Sequence, residues 1–179
     1  MRKRLIWSEL ETADRELVAA AQEAAARAYA PYSLFAVGAA VRSLSGKIYT
    51  GANLENASFG LTVCAEAAAL SAANTSGDFA VEAIAVLGIS LNDPADTSGL
   101  ITPCGSCRQI IAEAGLVTGN DVRVLCCDPE LSGIVVSTIT ELLPNAFGAE
   151  RLGRAEHWRS LRGELQGRID RLITLKKQR

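Results

Sequence analysis

Histidine occurs only once in the 179 residues, at His157 near the C-terminus, so a metal centre or a proton relay built on several imidazoles is excluded. Aromatic residues make up 5%, which leaves few platforms on which successive bases of a single strand could stack. An excess of positive charge is also missing. The formal net charge is -2, which provides no general field for gathering a phosphate backbone, so a nucleic-acid partner is not expected. No apolar run approaches the ~20 residues a membrane-spanning helix needs, so no membrane partner is expected either. The start, Met1-Arg2-Lys3-Arg4, is basic, but Leu5-Ile6-Trp7 is too short for the apolar core of a signal peptide. These absences lead to the expectation of a cytoplasmic protein, in a compartment where thiols stay reduced.

What is present is ordinary globular material: 49% hydrophobic and 21% charged residues, with no internal repeat, low-complexity tract or linker. One domain over 1-150 is expected, with 151-179 a helical extension of the same domain. Five cysteines, an odd number in a reducing setting, point to metal or catalysis before a disulfide framework.

From Glu9 to Tyr29 the chain is rich in Ala, Glu and Arg, with Leu10, Leu17, Ala21, Ala24 and Ala28 at helical spacing, which predicts an amphipathic helix. Val37 to Val41 and Lys47 to Thr50 flank Ser45-Gly46 as a hairpin. Cys64 to Ala73 is alanine-rich and free of Pro and Gly, predicting a helix whose first turn holds Cys64 and Glu66. A strand is predicted over Ala83 to Ile89, a loop over Asn92 to Thr102, and a second helix over Cys104 to Ala114 following Pro103. Val122 to Cys126 and Ile134 to Ser137 supply two more strands. The fold class is α/β, with a five-stranded mixed sheet. Past Glu150, Trp158, Leu161, Leu165, Ile169 and Leu172 form one stripe of an added basic helix, read as oligomer-packing or solvated, with no chemistry assigned.

The chemistry concentrates in Cys64-Ala65-Glu66 at one predicted helix start and Pro103-Cys104-Gly105-Ser106-Cys107 at the other. Three protein ligands suit a catalytic Zn2+, because structural sites are usually closed by a fourth Cys or His, while a three-ligand site keeps one position for water. Zinc lowers the pKa of such a water towards ~7. Cysteines at helix starts face the positive end of the macrodipole, which favours the thiolate that binds metal. Glu66, two residues after a ligand, falls near the metal without having to coordinate it and is free to move protons. A lone C-x-x-C would equally suit a redox dithiol or half a structural zinc site. Cys126-Cys127 reads as buried unreactive thiols, with Cys126 as a fourth ligand left open.

From about Ala28 to Leu152 the chain resembles the small homotetrameric cytidine deaminases with three-cysteine zinc sites. The matching motifs run in order: Ala30-Pro31-Tyr32-Ser33, Phe35-Ala36-Val37-Gly38-Ala39-Ala40, Gly51-Ala52-Asn53-Leu54-Glu55-Asn56-Ala57-Ser58, Cys64-Ala65-Glu66, Pro103-Cys104-Gly105-Ser106-Cys107-Arg108-Gln109 and Glu141-Leu142-Leu143-Pro144-Asn145-Ala146-Phe147-Gly148. The resemblance implies a cytidine-deaminase-like α-β-α sandwich with strand order 2-1-3-4-5 and active sites shared between subunits of a tetramer. It implies Cys64, Cys104 and Cys107 as zinc ligands and Glu66 as the proton carrier. Asn53 and Glu55 are implied at the ribose hydroxyls, Phe35 against the pyrimidine, the Ala65 backbone at the base edge, and Phe147 as an aromatic donated by a neighbouring subunit.

One position departs from the pattern. The Arg that follows the catalytic Glu in the family's usual motif is Ala67 here, so three thiolates lack a hydrogen-bonding cation; Arg108 and the two helix N-termini are the candidates to offset that charge. An activity optimum at higher pH is expected. The departure also leaves open an aminohydrolase of modified or N4-substituted cytosine nucleosides, including blasticidin-type antibiotics. From another class, a non-catalytic zinc-stabilised interaction module is the rival, and a tRNA- or DNA-editing deaminase is disfavoured by the acidic balance and the nucleoside-type ribose motif.

Overall fold

The structure is a computed structural model that describes residues 4-93, 99-153 and 157-177. It divides into two compact units, 1-146 and 147-179.

The first unit is built on a mixed sheet of six strands: β1 (Arg4–Leu5), β2 (Phe35–Ser43), β3 (Ile48–Ala52), β4 (Val81–Ser90), β5 (Arg123–Cys127) and β6 (Ile134–Thr138). The spatial order is β1-β6-β5-β4-β2-β3. Among the described strands, only β4 and β5 pair in parallel, with Ile84 opposite Val124, and the other strand pairings are antiparallel. The five expected strands thus stand in the expected order. The sixth, β1, is a correction. Two residues beside a basic terminus carry no alternation to read, and they become a strand only because Arg4 and Leu5 meet Val135 and Ile134 on the open edge of β6.

Three helices of useful length cover the sheet: α1 (Thr12–Ala25), α2 (Ala65–Thr75) and α3 (Gly105–Thr118). A short helix, α4 (Ile139–Leu142), follows β6, started by a Thr138 cap that accepts the Glu141 N–H. On one face, Leu17, Val18 and Ala21 of α1 pack with Ala40, Ala85, Leu87 and Leu125. On the other, Ala65, Ala69 and Leu70 of α2 and Ile111 and Ala114 of α3 pack with Ala39, Val41, Ile84, Val86 and Val124. Strand residues alternate between these two sets, as a sheet buried on both faces requires.

Helix α1 is shorter than the expected 9-29. Its predicted first residue, Glu9, instead ends a separate 3-10 turn, Trp7–Glu9, and its carboxylate accepts the Ile6 N–H at 3.0 Å. At its other end the chain leaves the helix because Tyr29 donates to the Asn53 carbonyl at 3.0 Å and accepts from Glu55 N–H at 2.9 Å. That pairing ties the segment before β2 to the segment after β3, where site residues were expected. Asp14, buried on α1, meets Arg123 at 3.2 Å and Arg42 at 3.4 Å, and Arg42 also pairs with Glu82. Mutual neutralisation makes their burial tolerable.

The helices approach the sheet closely because the strands offer glycines at the crossing points. A Cβ on Gly38 would lie 2.5 Å from the Ala25 amide nitrogen of α1, and one on Gly51 would overlap the Ala65 carbonyl and the Ala69 amide of α2. Gly46 takes a positive φ of 82° in the hairpin turn, where Ser45-Gly46 was expected to reverse the chain.

The second unit contains a 3-10 turn, Ala149–Leu152, and helix α5 (His157–Lys177). Leu161, Leu165, Ile169 and Leu172 are exposed on α5, and the Trp158 side chain lies outside the described residues. Among the described residues, no helix is long and apolar enough to cross a membrane.

Candidate metal centre and active site

Strands β3 and β4 both run antiparallel to β2, so they point the same way. Helix α2 follows β3 and α3 follows β4, which brings both helix starts to the C-terminal end of those strands. The first residue of β2, Phe35, opens at that same end. Ligand sites of open α/β sheets form at such strand ends, because loops and helix N-termini converge there.

Cys64 and Cys104 are the N-cap residues of α2 and α3, each with extended backbone, and Cys107 lies in the first turn of α3. The three sulfurs lie within 4.8 Å of one another. Cys64 and Cys104 are 3.9 Å apart at Sγ, and the Cys104 sulfur accepts the Cys107 N–H at 3.4 Å. Three soft donors converging from two helix N-termini fit a zinc ion, since sulfurs gathered around a tetrahedral ion sit close to one another and N–H groups aimed at a thiolate stabilise its charge. Cys126 is not part of the group. It is buried in the core beneath α2 and α3, so the fourth-ligand option is not realised. Cys127 faces the α1 side, with its thiol pushed up to about 12 by burial and by the neighbouring Cys126 and Asp128, which leaves it inert at neutral pH.

Burial raises the Cys64 thiol, with Cys104 and Glu66 adding like charge. Burial also raises Cys107, well beyond the ordinary thiol range. Burial acts against Cys104 as well, yet hydrogen bonds from the Cys107 backbone and side chain outweigh it and bring that thiol below its usual value. Metal binding therefore has to displace protons from the Cys64 and Cys107 thiols, so affinity rises with pH.

Glu66 is 4% exposed on the first turn of α2. Burial raises its carboxyl above the ordinary value, with its own backbone N–H and the Cys107 side chain pulling the other way. A carboxyl moved towards neutrality exchanges protons more readily in both directions than one fully ionised. Ala67, one residue on, is partly buried and brings no charge. Arg108 does not take over that function through its hydrogen bonds: its guanidinium donates to the Pro103 carbonyl at 2.8 Å, the Leu142 carbonyl at 3.0 Å and the Thr102 hydroxyl at 3.1 Å. It pins the Pro103-Cys104 segment to α4.

The other expected residues sit as follows. Asn53 is buried, and its carboxamide accepts the Val37 N–H at 2.8 Å and donates to the Phe35 carbonyl at 3.0 Å. Glu55 is half-buried and accepts the N–H groups of Tyr32 at 2.9 Å and Ser33 at 3.2 Å. The Ser33 hydroxyl and the Tyr32 N–H hold its carboxyl below the ordinary value. Ala65 is fully buried as the first residue of α2. Phe35 is half-buried on the sheet face that α2 and α3 cover. Phe147 belongs to the second unit and is 57% exposed. Sequence reasoning missed Gly88, whose only signal was a glycine inside a predicted strand, and it gave Arg108 a charge-offsetting role where the structure shows it bonded to Pro103, Thr102 and Leu142.

The cytidine and deoxycytidylate deaminase zinc-binding region matches residues 11-119 of the chain. Among curated relatives, a cytidine deaminase of Halalkalibacterium halodurans is 44% identical over 138 residues, covering 76% of this chain and 96% of the relative. One from Mycobacterium tuberculosis is 41% identical over 138 residues, covering 75% and 89%. Among solved structures, the cytidine deaminase from Burkholderia pseudomallei superposes with a TM-score of 0.64 at 40% identity, covering 74% of this chain and 97% of that one. With the fold, the sulfur cluster and these matches in agreement, the chain belongs to the cytidine and deoxycytidylate deaminase family.

Proposed function

We propose that the chain hydrolyses cytidine and 2'-deoxycytidine to the uridine nucleosides and ammonia. The observation behind this reading is the convergence of the Cys64, Cys104 and Cys107 sulfurs within 4.8 Å of one another, with the buried Glu66 carboxyl on the turn that Cys64 caps.

Cys64, Cys104 and Cys107 would hold the ion. When bound, Zn2+ supplies Lewis acidity that lowers the pKa of water at the site. Glu66 takes the proton of the attacking water and delivers it to ring N3 as the water oxygen bonds to C4. It then helps transfer a proton to the exocyclic nitrogen, whose bond to C4 breaks to release ammonia. The raised Glu66 carboxyl supports this double duty. The Ala65 backbone meets the base edge, Phe35 packs against the pyrimidine, and Asn53 and Glu55 hydrogen-bond the ribose. Asn53 uses one amide hydrogen on Phe35, leaving a second donor for a hydroxyl.

The catalytic domain spans 1-150, with 151-179 as its helical extension, and the protein works in the cytoplasm as a homo-oligomer, with Phe147 contributed across a subunit boundary. Exposed apolar side chains support association: Tyr29 at 55%, Leu54 at 54%, Phe59 at 72% and Leu61 at 67%. Light scattering behind gel filtration gives the mass, and a monomer would reject that part.

The test of activity is a turnover panel of cytidine, deoxycytidine and N4-substituted analogues followed by ultraviolet absorbance, with zinc counted on the same sample. One zinc per chain with loss of cytidine absorbance is the expected result. Zinc without turnover of any member would favour a non-catalytic module. Turnover of N4-substituted analogues alone would favour the modified-nucleoside reading that Ala67 raises.

A further inference from the structure

Gly88 lies near the end of β4, paired with Val37 across the β2–β4 ladder, two residues along β2 from Phe35. It faces the same side as Ile84 and Val86, the side covered by α2 and α3. A Cβ placed on it would meet the Phe35 ring, 2.6 Å from Cζ, and would be 3.1 Å from Ile101 Cδ1. The Phe35 ring therefore lies flush against the strand backbone at Gly88, with Ile101 beside it. In a strand interior a glycine costs stability and offers no side chain to pack, so its presence marks a close approach. Here the approaching group is the ring.

We propose that Gly88 is a positioning residue for nucleobase binding, because it is the vacancy that lets the Phe35 ring lie down at the depth the pyrimidine requires. This rests on the reading of Phe35 as the ring that packs against the base. Any side chain at position 88 lifts or turns that ring into the space meant for substrate. The nearest obstruction to an added methyl is the outer end of one side chain, so the ring yields while the β4 backbone stays in register. The contrast with Gly51 follows from the same geometry: there the obstruction is helix backbone, and a methyl displaces an entire element.

The experiment is steady-state kinetics with cytidine on the full-length, zinc-loaded protein and its Gly88→Ala, Phe35→Leu and Gly88→Ala/Phe35→Leu variants. Gly88→Ala is expected to raise KM about tenfold with kcat changed less than about twofold and zinc content unchanged, since a misplaced packing ring weakens ground-state and transition-state binding alike. Phe35→Leu alone also raises KM. The double variant should then have a KM no worse than Phe35→Leu alone, because the methyl has no ring left to displace. A KM for Gly88→Ala equal to that of the parent overturns the inference, as does a double variant in which the two effects multiply in full. If Gly88→Ala folds poorly, the double variant still decides: recovered folding with the KM of Phe35→Leu supports the inference, and continued misfolding rejects it. If Phe35→Leu alone leaves KM untouched, it is the reading of Phe35 that fails.

Discussion

The Asn53 side-chain amide donates to the Phe35 carbonyl at 3.0 Å, and its oxygen accepts the Val37 N–H at 2.8 Å. Strand β2 thereby continues its pairing past the end of β3 through a side chain, and a residue assigned to the sugar also holds the ring assigned to the base. Asn53→Ala should therefore raise KM for cytidine and lower stability together, the latter by about 1–2 kcal/mol for the two partly buried backbone groups left unpaired. Kinetics and thermal denaturation on one preparation check this. A KM effect without any stability loss would show the strand contacts to be dispensable.

Gly51 sits under the start of α2, where a Cβ would overlap the Ala65 carbonyl and the Ala69 amide. Gly51→Ala has to push out the helix whose cap is Cys64. The expected loss is about 1–3 kcal/mol of stability, with weaker zinc retention against a competing chelator. Unchanged retention would show that the helix start tolerates the shift.

Glu66→Gln keeps the shape of the side chain and removes its proton-carrying capacity. Zinc content should stay at the parental level while kcat falls by about a thousandfold. Substantial turnover by this variant would reject the assigned role.

Ala67 leaves the sulfurs without a hydrogen-bonding cation from that position, and Arg108 donates to Pro103, Leu142 and Thr102 instead. Ala67→Arg should withdraw charge from the sulfurs and strengthen the Lewis acidity they leave to the ion. The pH-rate profile is expected to move to lower pH, and coincident profiles for variant and parent would defeat the idea.

Asp78 accepts hydrogen bonds from Ser45 at 2.6 Å, Ser43 at 2.7 Å and Tyr49 at 3.1 Å, tying the hairpin to the turn after α2. The Ser45 and Ser43 hydroxyls chiefly hold its carboxyl below the ordinary 3.8. A depressed carboxyl contributes stability above its unfolded pKa and loses it as pH falls through the folded one. Asp78→Asn should therefore be less stable than the parent at neutral pH, by about 1 kcal/mol or less given the solvent around this group. The gap should close as the pH drops below 3.8. Denaturant titrations across that range give the answer, and a gap independent of pH would assign the loss to shape alone.

Much of the architecture was legible because local pattern and tertiary use coincide. Alanine-rich 64–73 lies under a helix that runs from Ala65 to Thr75, and Pro103 precedes one that starts at Gly105. Ser45-Gly46 turns the hairpin as its composition demands. Strand β1 was illegible, because two residues have no period and exist as a strand only against an edge formed far later in the chain, at Val135 and Ile134.

By itself, the sequence determined the chemistry on offer: three thiols and one carboxyl at two helix starts, a single histidine far along the chain, and a formal net charge of -2. Local rules suffice for that, since caps, helix periods and ligand types are properties of a few neighbouring residues. Only the tertiary structure decided that the three sulfurs meet within 4.8 Å, that Cys126 stays in the core, that Arg108 serves backbone carbonyls, and that Gly88 makes room for Phe35. Those outcomes depend on which strands become neighbours and how closely a helix or a ring can settle on them. The long-range packing of the whole chain settles such distances, and no short window of it encodes them.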